Sequence, residues 1–341
     1  MTRLIVFGCI PLIVLALSLY SSGGPTWFPD IFKVPISCDH PLLIFPLSCT
    51  KMPKTFTLNT GASIPWLGFG TGTALYGKDA TKLVRLALDN KITHLDGAQM
   101  YNNEDSLGLG IKESGKPRSD LFVTTKLKNL APGETVKQSL QKSLSKLGLD
   151  HVDLFLIHDP TPATKEGKLP EWWAGMEEVY RDGLAKAIGV SNFKVEDLQV
   201  VLDTGKVVPA VNQIELHPYV WKAAEPLVKF AQSKGIAIES YGGQTPIVRV
   251  PGGPLDATLA SIKDRLEKTY GKPVTTGQIL SKWLLQKDVI VVTTSSKVER
   301  IQEFLETENV PDLTADEIGA IEAEGAKLHK RVYMRHAFGE A

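Results

Sequence analysis

The sequence predicts an α/β protein, a (β/α)8 TIM barrel with an N-terminal β-hairpin and extra helices near the C-terminus. Two observations carry this expectation. From residue 55 on, short β-branched runs alternate with stretches of helical period, the mark of repeated βα units around a parallel sheet. The candidate parallel strands also number eight, which closes a barrel: Leu67–Gly70, Ile92–Asp96, Leu121–Lys126, Val152–His158, Ala185–Ser191, Ala210–Glu215, Gly235–Tyr241 and Val289–Thr294.

Taken in order, the first elements differ from the rest. Thr55–Leu58 and Ile64–Leu67, separated by Asn59, Thr60, Gly61 and Ala62, read as a hairpin that plugs the barrel floor. Amphipathic segments then fall between strands at Asp79–Asp89, Glu134–Leu147, Glu171–Asp182 and Thr275–Gln286, with further helical material at Val298–Glu306 and Thr314–Glu324. Gly68, Gly70 and Gly72 imitate the turn of a dinucleotide-binding βαβ unit, but the third glycine is misplaced for G-x-G-x-x-G. No composition break divides residues 52–341, which read as one domain.

The amino terminus stands apart. Residues 4–20 form an apolar stretch at the lower edge of the ~17 to 25 residues that span a bilayer. Three origins fit: a signal anchor, a cleaved signal peptide, or a start upstream of the natural one, since Met52 opens directly into the globular pattern. Residues 21–51, rich in proline and without a regular period, read as a linker. A chain starting at Met52 is expected in the cytoplasm. Otherwise it is membrane-anchored or enters the secretory pathway, meeting the membrane only through residues 4–20.

Cys9, Cys38 and Cys49 all precede Met52, so the body has no disulfide framework, thiol nucleophile or cysteine zinc site. With 38 basic and 38 acidic residues and no long run of either sign, no basic face for nucleic acid is evident. The expected partner is a small molecule, bound by a monomer.

Barrel enzymes draw their functional groups from the carboxyl ends of several strands. Here three adjacent strand ends deliver Asp96 and Tyr101, Lys126, and His158 to one rim. The types suit reduction of a carbonyl by hydride transfer. The oxygen needs a proton, and a phenol with a pKa of ~10 gives one up reluctantly. An ammonium beside it favours the phenolate, and a carboxylate holds that ammonium. Tyr101 is therefore the candidate proton donor, Lys126 its acidifier, Asp96 the partner of Lys126, and His158 the group that orients and polarises the carbonyl. His94 and Asp96 could be imagined as a metal pair, but no third ligand converges on them.

With Leu95–Glu104, Thr125–Leu127, Leu156–His158, Gly189–Phe193 and Val211–Tyr219 in this order and spacing, the chain resembles the aldo-keto reductase superfamily over residues 55–341. The resemblance implies the same four roles, no metal, and a nicotinamide cofactor extended across the barrel mouth. It further implies that Ser191, Asn192 and Gln213 hydrogen-bond the nicotinamide carboxamide and that Tyr241 stacks on the ring. Amide side chains offer both donors and acceptors, and an aromatic face fixes a flat ring. Ser191 and Asn192 equally suit capping of the helix that follows. Thr71 and Gly72 are weaker cofactor candidates, equally explained by turn chemistry.

At the adenosine end the sequence departs from the common pattern. Thr294 stands where many relatives carry the lysine that grips the 2′-phosphate of NADPH, while Arg300 keeps its place; Ser295 and Ser296 can donate, and Lys297 can compensate. Glu303 matches a position that reads adenine. The run Thr293–Ser296 looks most like fungal NADPH-dependent ketone and α-keto amide reductases. NADPH is the expected cofactor and NADH the weaker alternative. Lys128 and Asp159 stand where relatives often place aromatics, which predicts a less apolar substrate pocket, with Tyr76, Trp221 and Tyr333 as candidate walls. Two other readings remain: a nicotinamide-nucleotide-binding regulatory subunit with little turnover, and a structural barrel.

Overall fold

The computed structural model describes residues 54–340, and the apolar amino-terminal segment and linker expected over residues 1–51 lie outside the described residues. The chain opens with an antiparallel hairpin, β1 (Thr55–Thr57) and β2 (Ser63–Pro65). Its turn closes through Gly61, at φ +82, in the left-handed region where glycine carries no Cβ penalty. Leu58 and Ile64 pack beneath the barrel against Phe122, Leu154, Val211 and Ile290, so the hairpin does plug the floor.

Eight parallel strands follow: β3 (Leu67–Gly70), β4 (His94–Asp96), β5 (Phe122–Leu127), β6 (Leu154–Ile157), β7 (Ile188–Ser191), β8 (Val211–Glu215), β9 (Ala237–Tyr241) and β10 (Val289–Thr293). They pair in sequence order, and β10 returns to β3 to close the barrel. Several are shorter than expected, because the approach to each strand is apolar before it is hydrogen-bonded. Val152 makes only an isolated bridge to Ala185 ahead of β6. Gly235, at φ +72, turns the chain into β9 instead of beginning it. Leu67, expected at the end of the hairpin, belongs to β3 alone, since the chain leaves the hairpin at Trp66, whose carbonyl accepts the Val291 N–H.

Helices cover the outside of the sheet. Those read from periodicity are α1 (Thr81–Asp89), α3 (Val136–Leu147), α5 (Leu169–Arg181), α10 (Thr276–Leu285), α11 (Val298–Glu306) and α12 (Ala315–Gly325). Three of them start one residue after a capping box, at Thr135 with Gln138, Thr275 with Gln278, and Thr314 with Glu317. Not singled out from periodicity were α2 (Glu104–Ser114), α4 (Thr161–Lys165), α6 (Val195–Thr204), α7 (Pro218–Ser233), α8 (Thr245–Val248) and α9 (Asp256–Tyr270). Among the described residues no helix is long and apolar enough to cross a membrane.

The glycines of α2 explain why its pattern is faint. A Cβ on Gly108 would lie 2.2 Å from the Leu147 carbonyl oxygen at the end of α3, and one on Gly110 would lie 2.8 Å from the Val84 Cβ of α1. Small residues let α2 sit close between its two neighbours, and this fixes the helix that follows Tyr101. Gly108→Ala is expected to lower stability by about 1–3 kcal/mol through overpacking, despite alanine's better helix propensity. Chemical denaturation of the two proteins checks this.

Candidate active site

Lys126 lies fully buried in β5 and reaches the barrel mouth from inside. Its Nζ donates to both carboxylate oxygens of Asp96 at 2.7 Å and to the Gly97 carbonyl at 2.9 Å, and stands 3.4 Å from the Tyr101 hydroxyl. Burial alone pulls the Lys126 pKa down, but Asp96, joined by Tyr101 and Glu239, more than reverses this, and the ammonium stays charged.

Tyr101 closes a 3-10 turn (Gln99–Tyr101) directly after β4. Gly72 makes room for it, because a Cβ there would sit 2.8 Å from the phenol ring. Asn103 holds the opposite side of this pocket by donating to the Thr71 and Leu75 carbonyls, and Gly77 N–H ties back to the Tyr101 carbonyl. Burial raises the Tyr101 pKa and Lys126 opposes the rise. The ammonium thus acts in the expected direction without overcoming burial, so the phenol keeps its proton through the neutral range.

His158 follows β6 and packs edge-on against Tyr101, with ring centroids 5.5 Å apart. Burial, reinforced by Lys126, lowers its pKa to about 3, so the imidazole is neutral. The four expected groups therefore converge at one place. His94 shares the inward face of β4 with Asp96 but lies deeper in the barrel: its ring meets Thr124 and Glu239, while Asp96 meets Lys126.

A cleft of roughly 700 Å³ runs from Tyr101 and His158 past Gln213 and Tyr241 to Thr294, Ser295, Ser296, Lys297 and Arg300. Its two ends differ in chemistry, with a phenol and an imidazole at one and hydroxyls and two cations at the other. An elongated ligand with a reactive head and an anionic tail fits that donor set. Arg300 is half exposed, 3.6 Å from Glu303. Lys297 stands at the N-terminus of α11, where unpaired N–H groups favour anions.

Several expected contacts fall elsewhere. The Thr71 hydroxyl turns inward to the Asp96 carbonyl, and Thr71 does not line the cleft, whereas Gly72 does. The Ser191 hydroxyl donates to the Gln213 carbonyl. Asn192, at φ +63, donates to the His158 carbonyl and to Ser191 Oγ and accepts from the Tyr241 hydroxyl at 2.7 Å. These two residues bind the ends of β6 to β9 together and do not cap α6, whose N-cap is Lys194. Glu303 lies off the cleft, accepting from the Thr275 hydroxyl at 2.6 Å.

The pocket near Tyr101 is also more apolar than expected. Neither Lys128 nor Asp159 lines it; the Asp159 carboxylate accepts from Thr161 N–H at the start of α4 and pairs with His336 at 2.7 Å. Tyr76 and Tyr333 line it as expected, together with Met100, Val248 and Met334. Trp221 is absent from this wall because it packs on α7 against Trp283, under Lys287.

Two buried carboxylates on the barrel strands escaped the sequence reading. Glu215, at the end of β8, accepts the main-chain N–H groups of Val332 and Tyr333 and a contact from His217, drawing the C-terminal segment over the mouth. Glu239 in β9 accepts from Gln213 Nε2 at 2.8 Å, and the same nitrogen donates to Asp96 at 2.8 Å. Its signal was present: Glu239 lies two residues before Tyr241 on a buried strand, hence on the same inward face.

Comparison with known proteins gives the family to which the chain belongs. Residues 66–243 match the model of the Aldo/keto reductase family. The NAD/NADP-dependent indole-3-acetaldehyde reductase of Schizosaccharomyces pombe is 41% identical over 287 residues, covering 81% of this chain and 97% of that protein. The NADPH-dependent alpha-keto amide reductase of Saccharomyces cerevisiae is 33% identical over 300 residues, covering 84% of this chain and 95% of that one. The crystal structure of Bombyx mori aldo-keto reductase in complex with NADP superposes with a TM-score of 0.72 at 31% identity, covering 85% of this chain and 98% of that chain.

The neutral histidines carry a consequence for stability. His158 at about 3 and His94 at about 4 both lie below the ordinary 6.5, so the unfolded chain takes up their protons first as pH falls. Their contribution is complete above pH 6.5 and is lost as pH drops toward the folded values. Melting curves followed by circular dichroism are expected to show a smaller fall in Tm between pH 6.5 and 4.5 for His158→Gln than for the wild type.

Proposed function

The chain belongs to the aldo/keto reductase family of oxidoreductases, and from that premise we propose that it reduces aldehydes or ketones to alcohols with NADPH, Tyr101 giving the proton. The observation that supports this best is the Tyr101 hydroxyl standing 3.4 Å from an ammonium that Asp96 holds through both oxygens, at one end of the long cleft.

Bound nicotinamide would supply the hydride. Tyr101 O–H donates to the carbonyl oxygen, and the phenolate left behind is stabilised by the adjacent Lys126 ammonium. Asp96 keeps that ammonium in place. The neutral His158 ring approaches from the other side and orients the carbonyl without placing a second charge at the reacting centre. Tyr76, Met100, Val248, Tyr333 and Met334 favour a substrate with an apolar or aromatic body beside its carbonyl.

The cofactor seat we assign to Gly72, Gln213 and Tyr241 at the nicotinamide end, with Ser191 and Asn192 setting the positions of Gln213 and Tyr241. Thr71 acts by fixing the strand end. Ser295, Ser296, Lys297, Arg300 and the start of α11 would hold the 2′-phosphate, with Thr294 lining the same end. Glu303 orients Arg300 and does not reach adenine while it is bonded to Thr275. Loss of the usual lysine at Thr294 leaves NADH as a weaker second cofactor, in keeping with the NAD/NADP-dependent fungal relative.

Two variants test the reading on protein supplied with NADPH and a panel of aldehydes, ketones and α-dicarbonyls. Tyr101→Phe is expected to lower kcat by about 10²–10⁴-fold, the usual weight of a positioned acid, with NADPH affinity retained. NADPH binding without turnover of any carbonyl by the wild type would overturn the proposal in favour of a regulatory role. Arg300→Ala is expected to reduce the preference for NADPH over NADH by about 10- to 100-fold, the worth of one charged hydrogen bond, read from kcat/KM with each cofactor.

A further inference from the structure

Behind the Asp96–Lys126 pair the barrel interior holds a second carboxyl group for which the proposed reaction has no use. Glu239 is fully buried in β9. In register it lies between Gln213 on β8 and Ile290 on β10. One Glu239 oxygen accepts from Gln213 Nε2 at 2.8 Å, and that same nitrogen donates to Asp96 Oδ2 at 2.8 Å. The other oxygen, Oε1, has no hydrogen-bond partner that satisfies it and stands 3.4 Å from His94 Nε2.

The charges decide what this arrangement is. Around Glu239 lie Asp96 and His94 from β4, Lys126 and Thr124 from β5, Gln213 from β8, and the Tyr101 hydroxyl beyond Lys126. The imidazole of His94 is neutral. One ammonium therefore faces two carboxyl groups, and ionising both would leave an uncompensated charge on a side chain buried from bulk solvent. A proton on Glu239 Oε1 removes that charge and turns the unpartnered oxygen into a donor aimed at His94 Nε2. Burial and Asp96 push the Glu239 pKa up to about 8, against the pull of Gln213 and Lys126, in agreement with this geometry.

We propose that Glu239 is a positioning residue that is neutral in the working enzyme and that, acting through Gln213 and the Asp96–Lys126 pair, sets the charge against which Tyr101 gives up its proton. The proposal rests on the reductase reading for its effect on rate, but not for the protonation state itself. When Glu239 loses its proton to solvent, the site gains a negative charge, and the phenolate that Tyr101 must become is disfavoured. An ionised Glu239 also competes with Asp96 for the Gln213 amide and the Lys126 ammonium. Carbonyl reduction consequently weakens as pH rises through the region where Glu239 ionises. The amide introduced by Glu239→Gln keeps the size and one hydrogen bond but cannot ionise.

The full chain, as wild type and as Glu239→Gln, tests this with two readouts. In the infrared spectrum the wild type is expected to show a protonated-carboxyl C=O band that disappears between pH 7 and 10 and is missing from Glu239→Gln at every pH. This needs no turnover, so it holds or fails independently of the reductase reading. In steady-state NADPH-dependent reduction, kcat at pH 6.5 is expected to agree within about threefold, while between pH 6.5 and 9.5 the wild type loses about tenfold more than Glu239→Gln, the consequence of about one unit in the acidity of the donor. Absence of the band, or wild-type and variant pH profiles that superimpose, would overturn the proposal. So would a uniform loss in Glu239→Gln with an unchanged profile, the mark of a purely structural role.

Discussion

One buried ammonium organises the barrel mouth. Lys126 has no exposed surface, and a charge in that position persists only where its partners are complete. Asp96 supplies both oxygens and the Gly97 carbonyl a third acceptor. That requirement fixes the end of β4, and hence the turn that carries Tyr101. It also fixes the far side, because the Asp96 carboxylate is steadied by Gln213, which engages Glu239. Tyr101, His158 and the floor of the cleft are arranged around a charge that none of them could leave unpaired without a penalty of about 3–5 kcal/mol.

The parts of this protein that repeat were the ones readable in advance. Alternation of β-branched runs with helical periods gave eight strands and their order, and the helical periods beginning at Glu134, Thr275 and Thr314 lay within a residue or two of the helix starts, where the structure holds capping boxes. The helix after Tyr101 was harder, since Gly108 and Gly110, small in order to sit close to their neighbours, carry no hydrophobic signal. Asp96, Tyr101, Lys126 and His158 were legible because strand ends of a barrel share one rim.

What lay beyond them was set by side-chain direction, which spacing does not encode. Ser191 and Asn192 could be placed at the end of β7 but not turned, and they point into hydrogen bonds with Gln213, His158 and Tyr241. Asp159 follows His158 directly yet faces Thr161 and His336. Trp221 looked like a pocket wall until α7 carried it to the outside of the barrel against Trp283. Glu239 and Glu215 passed unremarked because a lone acid in an apolar strand has meaning only when its partners, 26 and 117 residues distant, are known.

The grip of Glu215 on the C-terminal segment is made to main-chain N–H groups of Val332 and Tyr333, which every residue except proline possesses. Attachment is thereby separated from identity. The side chains of Tyr333 and Met334, which face the cleft, are free to change without loosening the segment that presents them. A barrel held in this way can exchange one substrate for another by replacing a few letters near its end, while the machinery around Lys126 stays untouched.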